Sequence, residues 1–201
     1  MVSLTKNEAG TVNFLIRNFS QKYNINQLSR ELKLSPRGIF KILKKLESKN
    51  YLISTKNGNN MFYDINFNSE EAMDMCKFVL AEEKQTPFIK VKIDDLKELK
   101  KIVDLAILFG SVLTKEKEAN DVDVILVFNE KKFSEVERGI QKINLIAYKK
   151  LHAVYQTKKD FIENIKRKDK VIISAIKTGI IVWGRDLFME ALKHGRDGTY
   201  S

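Results

Sequence analysis

Two acids, Asp121 and Asp123, follow a Gly110-Ser111 pair after nine intervening residues. Strand residues two apart project from the same face, so both carboxylates stand side by side while Val122 and Val124 point to the core. Two hard oxygen ligands at a strand edge suit Mg²⁺, with Mn²⁺ as the alternative. Gly110 closes the apolar run Leu105-Ala106-Ile107-Leu108-Phe109 and lets the chain turn tightly with its backbone open to a ligand. Ser111 then begins a helix, whose free N–H groups and hydroxyl face outward toward phosphate oxygens. A metal held there would bridge the phosphates of a nucleotide and neutralise charge developing in an in-line displacement.

Hydrophobic periodicity supplies the elements that must position these groups. A helix is predicted over about Asp94 to Lys101, then a strand over Leu105–Phe109 and a second over Val122–Phe128. A long helix, about Lys132 to Tyr148, leads to a third strand, Leu151–Tyr155. Helices follow near Lys158–Arg167 and Lys170–Thr178, then a short strand, Ile180–Trp183, and a last helix to about His194. Residues 195–201 read as a frayed tail.

The combination resembles the polymerase-beta-type nucleotidyltransferase superfamily over residues 93–185, in the short form of its minimal subgroup. The residues that carry the resemblance are an apolar strand, Gly110-Ser111 and the Asp121-Val122-Asp123 triplet. It implies that Gly110 and Ser111 bind phosphate, and that Asp121 and Asp123 hold the metal of a Mg²⁺- or Mn²⁺-dependent transferase. The nucleoside triphosphate would be its substrate or ligand, with NMP passing to a hydroxyl. That family places a third carboxylate on the next core strand. Here Leu151–Gln156 puts His152, Val154 and Gln156 on one face, with no acid among them. His152 stands in the catalytic position, where an imidazole titrating near neutrality can act as general base. A lone strand histidine is also an ordinary structural residue. If another residue does this work, Glu130 and Asp160 are the nearest candidates. Some members of the wider family bind nucleotide or a partner protein without turnover, so a non-catalytic regulator is the second reading.

The first third of the chain differs in charge. Residues 1–68 carry 11 Lys and Arg against 4 Asp and Glu, a net of +7. The remaining residues, 25 against 22, contribute only +3 of the total +10. An amphipathic helix begins at Thr5 with Val12, Leu15, Ile16 and Phe19 on one face and ends near Tyr23-Asn24. A short second helix, about Asn26 to Leu32, takes Asn26 as its cap. Ser35-Pro36 then caps and opens a third helix running to about Lys49. Ile39, Ile42, Leu43 and Leu46 gather on one face of it, with Arg37, Lys41, Lys44 and Lys45 on the other. A hairpin follows: Tyr51–Thr55, a turn at Asn57-Gly58-Asn59-Asn60, and Met61–Ile65.

This order resembles a winged helix-turn-helix domain over about residues 5–66. The resemblance implies a third helix in the major groove of double-stranded DNA, with Arg37, Lys41, Lys44, Lys45 and Lys56 as contacts. A solvated helix face, or a module for dimerisation or protein docking, would show the same lysines. The fold class expected is thus an α/β two-domain chain. A winged helix-turn-helix occupies 1–68, a connecting helix and linker 69–92, a nucleotidyltransferase-like domain with a small mixed sheet 93–194, and a tail 195–201. Ser69 caps the connecting helix, whose apolar face either packs on its own domain or joins two subunits of a homodimer. Pro87 marks the boundary, and 85–92 read as a linker or an edge strand.

Composition sets the outer bounds. A hydrophobic fraction of 43% with 31% charged residues is a globular balance. No apolar run reaches the roughly 20 residues of a membrane span, and no basic head with an apolar stretch opens the chain. A cytoplasmic protein without a membrane partner is expected. The single cysteine, Cys76, excludes an internal disulfide and a cysteine-built zinc site, and it reads as a small buried hydrophobe. There is no internal repeat.

Overall fold

The structure, a computed structural model, describes residues 3–196. The chain divides into two compact units, one up to Glu82 and one from Glu83 onward.

In the first unit, α1 (Lys6–Arg17) opens on a capping box between Thr5 and Glu8. The pair β1 (Tyr23–Asn24) leads into α2 (Ile25–Leu32), and α3 (Pro36–Ser48) follows from Ser35, whose hydroxyl accepts the Gly38 N–H at 3.1 Å. The hairpin is β2 (Leu52–Asn57) and β3 (Asn60–Ile65), closed by Gly58 at φ 56°. All three strands form an antiparallel sheet of order β1-β3-β2. Val12, Leu15, Ile16, Leu28, Ile39, Leu43, Leu46 and Tyr63 build the core. The last helix, α4 (Glu70–Ala81), packs on α1 with Ala72, Met75 and Cys76 buried. Burial pushes the Cys76 thiol far up, so it is inert.

Two local expectations change here. The first helix ends at Arg17 rather than near Tyr23, because Tyr23 and Asn24 pair with Tyr63 and Phe62 of β3. That pairing is non-local and leaves no trace in helical periodicity. The cap of α2 is Asn24, not Asn26: its side chain accepts the Gln27 N–H, and the Gln27 side chain accepts the Asn24 N–H in return.

In the second unit, α5 (Pro87–Asp95) and a 3-10 segment, Lys97–Lys101, precede β4 (Leu105–Phe109). Residues 87–92 are therefore helix, not linker or strand, and the helix expected from Asp94 starts seven residues earlier. Thr86-Pro87 is a second copy of the Ser35-Pro36 device: the Thr86 hydroxyl accepts the Ile89 N–H, and Pro87 sits at the first helical position.

The short α6 (Val112–Lys115) and a 3-10 turn lead to β5 (Val122–Val127). Then come α7 (Phe133–Ile146), β6 (Leu151–Gln156), α8 (Lys158–Lys166), α9 (Lys170–Thr178), β7 (Ile180–Trp183) and α10 (Arg185–Arg196). The tail thus starts later than expected: Gly195 is buried in α10, where a Cβ would collide with Ile165. Residues 197–201 lie outside the described part.

The four strands form a mixed sheet of order β6-β5-β4-β7, with β5 and β6 parallel and the other pairs antiparallel. One face (Ala106, Leu108, Val122, Val124, Leu126) packs on Ile89, Leu99, Val136 and Ile140. On the other side α8, α9 and α10 bury Phe161, Ile165, Ile172, Ile176 and Phe188. With both faces covered, the central strands β4 and β5 are buried along most of their length, and polar residues collect at their ends.

Candidate functional site

At one end of this sheet, β4 finishes while β5 and β6 begin. Register places Phe109 opposite Asp123, and Asp123 beside His152. Asp121 precedes β5 by one residue. One ligand atom from each of Asp121, Asp123 and His152 falls within 4.8 Å of the others, and His152 Nδ1 lies 3.2 Å from Asp121 Oδ2. The two acids are half-buried and the imidazole is exposed.

Gly110 is the fourth part of the site. It turns at φ 83°, and a Cβ there would collide with the Asp123 carboxylate. Glycine is required twice over, for the backbone conformation and for the space the carboxylate fills. Ser111 opens α6 without a side-chain capping bond, which keeps its hydroxyl uncommitted. At four residues α6 is too short for a large dipole, so any phosphate grip would rest on local N–H groups and this hydroxyl.

Electrostatics fit a cation. Burial, and then the neighbouring Asp121 carboxylate, push the Asp123 carboxyl upward, with His152 pulling the other way. A divalent ion would relieve that like-charge pair. The donor set, two carboxylates and an imidazole, accommodates Mg²⁺ through oxygen and Mn²⁺ through oxygen and nitrogen.

Glu130 and Asp160 are not alternatives to His152 here. Both lie beyond the far ends of β5 and β6, a distance of roughly 20 Å along a six-residue strand. Asp160 is spent on capping α8 through Thr157, and Glu130 lines a separate cleft of about 490 Å³ with Asn129 and Lys159.

Lys149 was not singled out from the sequence. Its side chain is buried, and its ammonium donates to the Lys117 and Ala119 carbonyls, tying the turn before β6 to the segment before Asp121. Both acceptors lie about thirty residues away, so no local pattern announces the contact.

In the first unit, Arg37, Lys41 and Lys56 are exposed and without ion pairs. Lys44 is bound to Glu47 at 2.7 Å. Lys45 leaves the comb: it pairs at 2.7 Å with Glu8, which is only 4% exposed. Phe40 is also exposed on α3, at helical spacing from Arg37 and Lys44, and no periodicity argument marks it.

Residues 91–186 match the family model described as Polymerase beta, Nucleotidyltransferase. The match spans just under half of the chain and includes Gly110, Ser111, Asp121, Asp123 and His152. No curated protein matches the sequence. Among solved structures, DNA-bound wild-type ZitR of Lactococcus lactis is 20% identical, with a TM-score of 0.34, over 50% of this chain and 62% of that one. This chain therefore spans less than two thirds of that structure. A double mutant of ZitR is 16% identical over 71% of this chain and 74% of that one, at TM-score 0.35. A ZitR crystal structure described as a zinc-responsive MarR family member is 20% identical over 50% and 76%, at 0.32. At these scores the likeness carries no functional argument. No described helix is long and apolar enough to cross a membrane.

Proposed function

We propose that the second unit binds a nucleoside triphosphate with Mg²⁺ or Mn²⁺ and transfers NMP to a hydroxyl on nucleic acid or protein. The observation that carries this reading is the meeting of Asp121, Asp123 and His152 beside Gly110, within the segment matching the nucleotidyltransferase family. Asp121 and Asp123 hold the metal, which when bound supplies charge neutralisation at the phosphates. Gly110 opens the backbone and Ser111 offers its hydroxyl to the phosphate oxygens. His152, its Nδ1 facing Asp121, keeps Nε2 for the proton of the acceptor hydroxyl.

The first unit acts as a winged helix that binds double-stranded DNA through Arg37, Lys41 and Lys56. What supports this is the element order, the sheet order β1-β3-β2, and an exposed basic face on α3. Lys44 contributes after exchanging Glu47 for a phosphate, and Lys45 serves the fold through Glu8.

One observation favours a second reading, a regulator that binds nucleotide without turnover. Among the described residues the cluster holds two carboxylates and an imidazole, not three carboxylates. Calorimetry with Mg²⁺ and each NTP, followed by incorporation of labelled NMP, separates the two. Binding with transfer supports the enzyme, binding alone the regulator, and absence of Mg²⁺-dependent binding overturns both.

A further inference from the structure

Leu145, Ile146 and Tyr148 are 82%, 90% and 95% exposed, side by side at the end of α7 and in the turn after it. Solvent-facing apolar clusters of this kind mark interaction sites. These side chains do not stand out because the segment frays. Asn144 brackets Leu151, its Oδ1 accepting the Leu151 N–H at 2.7 Å and its Nδ2 donating to the Leu151 carbonyl at 3.2 Å. Lys149 fixes the same turn to the Lys117 and Ala119 carbonyls. The turn is built, and its apolar side chains are held outward.

We infer that this turn is a docking surface for another protein, one presenting an apolar socket rimmed by carboxylates. Residues 141–152 carry no acidic side chain; Lys142 and Lys150 are exposed, while the Lys149 ammonium is turned inward to its two carbonyls. A partner must therefore supply the negative charge. A second copy of this chain brings the same lysines against themselves on a molecule of net charge +10, so self-association through this turn is disfavoured. Nucleic acid would satisfy the lysines and could stack on Tyr148, but it offers nothing to Leu145 and Ile146. A protein socket rewards all three side chains and the charge around them. Because Lys150 is two residues from His152, a docked partner sits at the rim of the Asp121, Asp123 and His152 cluster. The inference stands whether or not that cluster catalyses transfer.

The test uses the full chain, immobilised, against a displayed library of random peptides. The expected outcome is an enriched consensus of large apolar residues flanked by Asp and Glu. A synthetic peptide of that consensus should bind about tenfold or more weakly to Leu145→Glu, Ile146→Glu, and weaken with rising salt for the wild type. The double variant should keep its Mn²⁺ affinity, which shows that the neighbouring cluster is intact. No enrichment, a consensus without acids, or peptides that bind wild type and variant alike would overturn the inference. So would a wild-type dimer in sedimentation that the variant abolishes. Flotation with phosphatidylglycerol vesicles, or binding to oligoadenylate, that is lost in the variant would assign the turn to lipid or RNA instead.

Discussion

His152 Nδ1 lies 3.2 Å from Asp121 Oδ2, while strand register sets the same histidine directly beside Asp123. The imidazole is thus oriented by one carboxylate and neighbours the other. With Nδ1 turned toward Asp121, Nε2 is the nitrogen left for a proton or a ligand. His152→Ala should lower NMP transfer by about 10²–10⁴-fold if the imidazole acts as general base, with NTP binding changed far less. His152→Asp should restore transfer if an acid in this position suffices. Transfer unaffected by His152→Ala would remove the histidine from the chemistry.

The carboxylates themselves bear on the metal. Asp121→Asn with Asp123→Asn preserves shape at a solvent-facing strand end, so the protein should fold as before by circular dichroism. Affinity for Mn²⁺, read by electron paramagnetic resonance, should fall by more than about 100-fold, since even outer-shell changes commonly cost 10–100-fold. An unchanged affinity would place the metal elsewhere.

Asp123 also sets a pH dependence. Its carboxyl is raised in the folded protein by burial and by Asp121, so the folded state keeps this proton to a higher pH than the unfolded chain does. Stability from this group is present below the unfolded value, near 3.9, and is lost as pH rises through the raised folded value. In a chelator, Asp123→Asn should therefore have a higher Tm than wild type at pH 7, with the gap narrowing toward pH 4. A lower Tm at pH 7 would mean that Asp123 is stabilised by a partner rather than strained.

Gly110 couples backbone and site. Gly110→Ala meets both a left-handed φ and the Asp123 carboxylate. The expected cost is about 1–3 kcal/mol in urea denaturation, with a loss of Mn²⁺ affinity because Asp123 must move. Wild-type metal affinity in this variant would show that the close packing of Gly110 on Asp123 is not needed to place the carboxylate.

Much of this site was legible because its carriers are local. Asp121, Val122 and Asp123 alternate at the start of one strand, and Gly110-Ser111 ends an apolar run, so the sequence alone shows which side chains share a face. The Ser35 cap and the hairpin around Gly58 are likewise set by neighbours in sequence. What stayed hidden depends on distant partners. The strand at Tyr23-Asn24 exists only through β3, Lys149 acts on carbonyls about thirty residues away, and Lys45 is drawn off α3 by Glu8. The helix at Pro87–Asp95 is a different case: its Thr-Pro cap is local and legible in the sequence, but its weak apolar periodicity is not.

The basic residues of α3 should divide into two classes. Lys41→Ala and Arg37→Ala should each weaken binding to duplex DNA and flatten its salt dependence by about one unit per lost phosphate contact, with little effect on stability. Lys45→Ala should do the reverse. Burial pushes the Glu8 carboxyl up, but the Lys45 ammonium and the Thr5 N–H together hold it below its ordinary value. That stabilisation is present above pH 4.5 and lost as pH falls through the depressed value. Removing Lys45 leaves Glu8 buried with one charged hydrogen bond missing, a loss of about 2 kcal/mol at pH 7 that should shrink toward pH 3. The salt slope of DNA binding should stay at its wild-type value. A Lys45→Ala protein of full stability with a flattened salt slope would return this lysine to the DNA-facing comb and displace the ion pair with Glu8 from its structural role.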